Sequence, residues 1–140
     1  MKAISFDAIS IAAIRQGHKT MTRRPLGRYR RWFVGDEAWV KVEWIDEQGK
    51  ERPAIFCPRR CSPFSIRITA HRMEYLRAIT AEDVEREGLD VARCLPHPEM
   101  VALRLFEERW DSIYGKMPGK RWRANPLLEV LTFQVITEDK

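Results

Sequence analysis

The chain has 140 residues and a mass of 16.5 kDa, with 44% hydrophobic and 32% charged residues. That size suits one domain spanning 1–140, able to bury roughly two-thirds of the surface its unfolded form exposes. No apolar run approaches the ~20 residues a bilayer-crossing helix needs, and the stretch Met1–Asp7 carries no readable secretory signal. Three cysteines, an odd number, fit reduced thiols and a cytoplasmic setting better than a disulfide framework.

Residues 3–6 read as a short strand. Asp7 is placed to cap a helix over 8–16, with Gly17 just past its end. Lys19 to Arg24 reads as extended, and Pro25 and Gly27 open a loop. In residues 37–44, Ala38, Val40, Val42 and Trp44 alternate with Glu37, Trp39, Lys41 and Glu43, which predicts a strand with one buried face. Gln48-Gly49 marks a turn, and Ala54-Ile55-Phe56 reads as a short returning strand. Alternation returns over 64–76, with Phe64, Ile66 and Ile68 on one face. Thr80 followed by Asp83 has the form of a capping box for a helix over about 81–87 that stops at Gly88. Residues 89–98 read as loop. Met100, Leu103, Phe106, Trp110 and Ile113 lie at helical spacing within 99–114, and 127–136 reads as a last strand. Such an order implies an α+β domain built around a curved sheet.

Charge is uneven. Ala8 to Val34 holds seven basic residues (Arg15, Lys19, Arg23, Arg24, Arg28, Arg30, Arg31) and no acid; it carries +7 against +5 for the whole chain. A local excess of this kind suits a polyanion or nucleotide, and Tyr29 and Trp32 within it could stack on bases. A solvated basic loop is the plain alternative. Lys116, Lys120, Arg121 and Arg123 form a second cluster near Trp122.

Within the basic segment, Gly17-His18-Lys19-Thr20-Met21-Thr22-Arg23-Arg24 resembles the signature of the ASCH domain, Gly-x-Lys-x-x-(acid or Thr)-x-Arg. Further blocks are similar to that family in order: Gly35-Asp36-Glu37-Ala38-Trp39-Val40, then Ile79 to Gly88, then Trp110 to Gly115, then Trp122-Arg123-Ala124-Asn125-Pro126. The last two resemble phage and prophage members. The resemblance implies a small PUA-like β-barrel with peripheral helices. It departs from that pattern where Leu127-Leu128-Glu129 stands in place of aromatic residues and where Arg60 replaces an aromatic in Cys57-Pro58-Arg59-Arg60-Cys61-Ser62.

Some bacterial ASCH proteins are similar to amidohydrolases that remove the acyl group from N4-acetylcytidine with a Lys, a Thr and a Glu. The resemblance carries these roles to Lys19, Thr22 and Glu87. A Thr hydroxyl needs a neighbouring base, and a Lys serves as one only when burial or nearby cations lower its pKa. Glu87 would relay a proton or hold Lys19, while Arg23, Arg24, Trp39, Arg59, Trp122 and Asn125 would position a modified nucleoside or RNA. No cofactor, metal or membrane is implied, and a monomer is expected. One geometric obstacle stands: residues three apart face opposite ways along a regular strand, so Lys19 and Thr22 can cooperate only if the chain bends near Thr20 or Met21.

Three rival readings remain: an RNA-binding module without chemistry, a metal-independent ribonuclease, and a zinc site from Cys57, Cys61, Cys94 and His97. The Cys94–His97 spacing is unusual for zinc, and packed or loop thiols are the simpler reading. A Cys94–His97 hydrolase lacks an orienting acid. Trp44 and Trp110 are expected in the core, and Trp32 and Trp122 are expected to stack on a base.

Overall fold

A computed structural model describes residues 2–27, 31–90 and 97–138. The elements run β1 (Lys2–Ser5), α1 (Ala8–Arg15), β2 (Met21–Pro25), β3 (Glu37–Lys41), β4 (Trp44–Ile45), β5 (Glu51–Arg52), β6 (Phe64–Tyr75), α2 (Ala81–Arg86), α3 (Pro98–Tyr114) and β7 (Leu127–Glu138). Five strands form one sheet in the order β1-β3-β6-β7-β2, and β4-β5 is a separate hairpin. Among the described residues only the β1-β3 pair is parallel.

The expected barrel is therefore an open sheet among the described residues, with β1 and β2 as its free edges. Register shifts in the β6-β7 ladder, at Ser65/Ile66 and Ile68/Ala70, provide the irregularities that bend long paired strands. Across the gap between the edges, the Arg24 guanidinium donates to the carbonyl of Ser5 at 2.7 Å. A side chain thus ties edges that no backbone ladder joins.

The alternation in β3 holds: Ala38 and Val40 are fully buried, beside Phe64, Ile66 and Ile68 of β6 and Leu131 and Phe133 of β7. A second core joins α2 and α3 to the sheet through Val84, Leu76, Ala102, Phe106, Trp110 and Leu128. The buried stripe of α3 is shifted from the one expected. Ala102, Phe106 and Trp110 face inward, whereas Met100 and Ile113 are exposed. Ala54–Phe56 is a 3₁₀ turn, not a strand; its flanking prolines Pro53 and Pro58 lack the N–H a ladder needs, and β4 pairs with β5 instead.

Both helix caps follow the expected chemistry. The Asp7 carboxylate accepts from Ser10 N at 2.8 Å, and the Thr80 hydroxyl accepts from Asp83 N at 3.2 Å. Asp83 does not return the bond to Thr80, because its carboxylate meets Arg23, Arg72 and Arg86. No helix among the described residues is long and apolar enough to cross a membrane.

Candidate functional site

The segment from Lys19 to Arg24 is not a uniform strand. After α1, the N–H groups of His18 and Lys19 both return to the carbonyl of Ala13. Lys19 then makes an isolated antiparallel bridge with Glu87, and Thr20 N donates to the carbonyl of Arg86. Pairing with β7 begins only at Met21. The segment thus changes partner at Thr20, and Lys19 and Thr22, three residues apart, both border one cavity. Gly88 permits the approach: its φ is +101°, and a Cβ there would lie 3.0 Å from Cβ of Ala13 and 3.1 Å from Cβ of Lys19.

Glu87 closes the C-terminal end of α2, where carbonyls lack helical partners. The Lys19 ammonium fills that need, donating to the Glu87 carbonyl at 2.9 Å and to its Oε1 at 3.2 Å. The other carboxylate oxygen, Oε2, accepts from Arg23 at 3.1 Å. Arg23 also reaches Asp83 and Glu74, each at 2.9 Å, and its side chain is fully enclosed (0% exposed). The guanidinium fixes Glu87 from behind, and although it borders the cavity its bonds are made to carboxylates and to Met21 Sδ.

Thr22 is buried in β2, where its Oγ1 accepts from Nε of Arg24 at 3.2 Å. That bond occupies a lone pair and leaves the hydroxyl proton available to a base. The positive charge beside Oγ1 also favours the alkoxide that proton loss would create. Arg24 lies 4.8 Å above the Phe6 ring. Burial lowers the Lys19 pKa below the ordinary lysine value against the opposing pull of Glu87, and the charges of Arg24 and Arg109 add to the lowering.

Lys19, Thr22, Arg24 and Glu87 line one cavity of about 680 Å³, a volume within the range of small-molecule sites. The resemblance pointed to these four, but further lining groups, among them Asp7, Ser10, Arg109 and Tyr114, were not singled out as site residues. Arg109 donates to both carboxylate oxygens of Asp7, at 3.1 and 3.0 Å, and to Ser10 at 3.2 Å. Tyr114 also lines the wall, and burial raises its pKa against the opposing charge of Arg24. One sequence signal does exist: Arg109 sits three residues after Phe106 and four before Ile113, on the border of the apolar stripe of α3.

Two solved structures share this architecture. The crystal structure of protein EF3133 from Enterococcus faecalis V583, of the DUF984 family, matches with a TM-score of 0.61 at 14% identity, covering 100% of this chain and 83% of that one. An ASCH domain from Lactobacillus crispatus JV V101 matches with a TM-score of 0.55 at 15% identity, covering 97% and 81%. The fold is that of an ASCH domain. Neither a family model nor a curated protein matches the chain.

On this ASCH fold, four of the expected binding residues lie away from the cavity. Trp122 packs edge-on against Phe106, with centroids 6.3 Å apart, and belongs to the second core. Asn125 adopts a left-handed backbone (φ 50°), and its side-chain oxygen accepts from Arg77 N at 2.8 Å, a turn-stabilising role. Trp39 is on the face of β3 opposite the core, with the Lys41 ammonium 5.5 Å from its ring. Arg59 is exposed on the 3₁₀ turn Arg59–Cys61. Trp32, expected to stack on a base, is buried at 3% exposure in the main core. Trp44 is half-buried, with its indole N–H enclosed and lacking a partner.

The zinc reading falls partly outside the described residues. Cys94 lies outside the described residues, as do Arg28, Tyr29 and Arg30 of the basic segment. Among the described residues no group of three or more His, Cys, Asp or Glu side chains could hold a metal ion.

Proposed function

We propose that this chain is an amidohydrolase that removes the acyl group from N4-acylated cytidine. The observation that supports the reading is the shared wall of Lys19, Thr22 and Glu87 in one cavity that Arg24 also borders. The ASCH fold of a neighbouring structure adds an association with RNA and nucleosides by analogy of fold alone.

In this mechanism the neutral amine of Lys19 takes the Thr22 hydroxyl proton as Oγ1 bonds to the acyl carbonyl carbon. Burial favours that neutral form. Arg24, already on Oγ1, steadies the negative charge that develops. The C–N4 bond then breaks, and the proton held by Lys19 passes to the departing amine, giving cytidine and an acyl ester on Thr22. Water hydrolyses the ester to release the carboxylic acid. Glu87 holds the Lys19 ammonium at the cavity wall shared with Thr22, and Arg23 holds Glu87. The pairing of Lys19 with Glu87 leaves one of the three ammonium protons for transfer.

The test follows the absorbance change as N4-acetylcytidine becomes cytidine. Turnover by the wild type, reduced at least ~10³-fold in Thr22→Val and Lys19→Met, is expected. A wild type that binds cytidine without turning over the acetyl form would make this chain a binding module. Turnover that survives Thr22→Val would exclude the proposed nucleophile.

A further inference from the structure

Next to the first cavity lies a second of about 510 Å³. The two share Ser5, Arg24 and Tyr114, so the Arg24–Ser5 tie between the sheet edges is their common wall. Beyond that wall, Arg24, Arg31 and Lys41 border the space with Trp32 and Glu129. The three cations contrast with those around Glu87. Among the described residues, none of them pairs with a carboxylate: Arg24 bonds a carbonyl and a hydroxyl, and Lys41 bonds the carbonyl of Ile55 at 3.0 Å.

The one acid in the wall is already satisfied. Oε1 of Glu129, 2% exposed, accepts from the backbone N–H of Arg31 and of Trp32, both at 3.1 Å, and faces Nε2 of His71 at 3.0 Å. It anchors the chain at Arg31, and its one negative charge stands against three positive ones. Three cations and one internally bonded acid, lining a cavity that shares a wall with the first, leave a net positive lining suited to a compact anion.

We propose that the second cavity holds a phosphate group attached to the ribose of the substrate, so that the chain acts on nucleotides in preference to bare nucleosides. This deepens the cytidine reading of the first cavity and rests on it. Arg24 is the hinge of the arrangement: its Nε lies on Thr22, where the acyl group reacts, while the same side chain borders the phosphate space.

Calorimetric titration of cytidine, cytidine monophosphate and a cytidine dinucleotide into the wild type, Arg31→Ala, Lys41→Met and the double variant tests this. Neither side chain has a carboxylate partner, so removing it strands no buried charge, and a thermal melt checks that each variant folds. The phosphorylated ligands should bind about tenfold or more tighter than cytidine to the wild type. That advantage should fall to about twofold in the double variant, with cytidine affinity unchanged. A stronger monophosphate assigns the site to free nucleotides; a stronger dinucleotide assigns it to a phosphodiester within RNA. Equal affinities for cytidine and both phosphates overturn the proposal while leaving the hydrolase reading intact wherever N4-acetylcytidine is turned over. A wild type that neither binds cytidine nor hydrolyses its acetyl form removes both.

Discussion

Arg23 and Arg24 are adjacent in sequence and end in opposite electrostatic surroundings. Strand alternation sends the first to Glu74, Asp83 and Glu87, at sequence separations of 51, 60 and 64, and the second to a hydroxyl and a carbonyl. Arg23 is a buried structural cation whose charge is matched; Arg24 is a half-buried cation at the meeting point of two cavities with no carboxylate on it. The pair teaches that a basic run in a sequence counts cations without saying which are available. Here the acids that neutralise part of the run come from β6 and α2, far along the chain.

The contrast breaks most sharply in stability. Arg23→Ala would take from buried Glu87 one of its two cations and from Asp83 one of its three, leaving Lys19, Arg72 and Arg86 in place, with an expected loss of about 3 kcal/mol, read by urea unfolding. A loss below about 1 kcal/mol would contradict the matched-cluster account. Arg24→Ala should behave in the reverse manner. Its stability loss should stay near 1–2 kcal/mol from two hydrogen bonds, while turnover of N4-acetylcytidine falls on the order of 10²-fold.

Gly88→Ala probes the packing that brings Lys19 to the cluster. A positive-φ position with Cβ contacts near 3.0 Å should cost about 1–3 kcal/mol and weaken turnover along with stability. Unchanged melting would show that α1 and Lys19 yield there at little cost.

Acid sharpens the comparison further. Burial alone would raise the Asp83 and Glu74 pKa values, but hydrogen bonds from Arg23, with those of Arg86 on Asp83 and Arg72 on Glu74, outweigh it and hold both below their ordinary 3.8 and 4.5. The unfolded chain then binds more protons than the folded one in that range. The resulting stability is present above those ordinary values and is lost as pH falls below them. Denaturation midpoints measured across that range should fall with pH in the wild type and show a flatter dependence in Arg23→Ala. Parallel curves would sink the assignment.

Much of this arrangement was legible from residues alone. Local chemistry fixed the Asp7 and Thr80 caps and the alternation of β3, whereas the residues that share a cavity wall were singled out by the resemblance that the Gly17–Arg24 and Ile79–Gly88 blocks carry. What could not be read depends on distant partners. Trp122 reads as a stacking residue because it stands among Lys120, Arg121 and Arg123, and only the placement of Phe106 on α3 draws it into the core. Arg109 carries no local signal of its pairing with Asp7, which lies 102 residues away in the chain. Closure is unreadable for a similar reason: strand patterns predict which faces are buried, not whether the last edge meets the first, and among the described residues no ladder closes the sheet.

The central claim, that Thr22 carries the acyl group, is open to direct observation. Mixing the wild type with N4-acetylcytidine, quenching in acid within a turnover and sequencing the digest by mass spectrometry should find an acetyl group on the peptide bearing Thr22, absent in Thr22→Val. Cytidine formed in the quenched sample with that peptide unmodified would contradict the account.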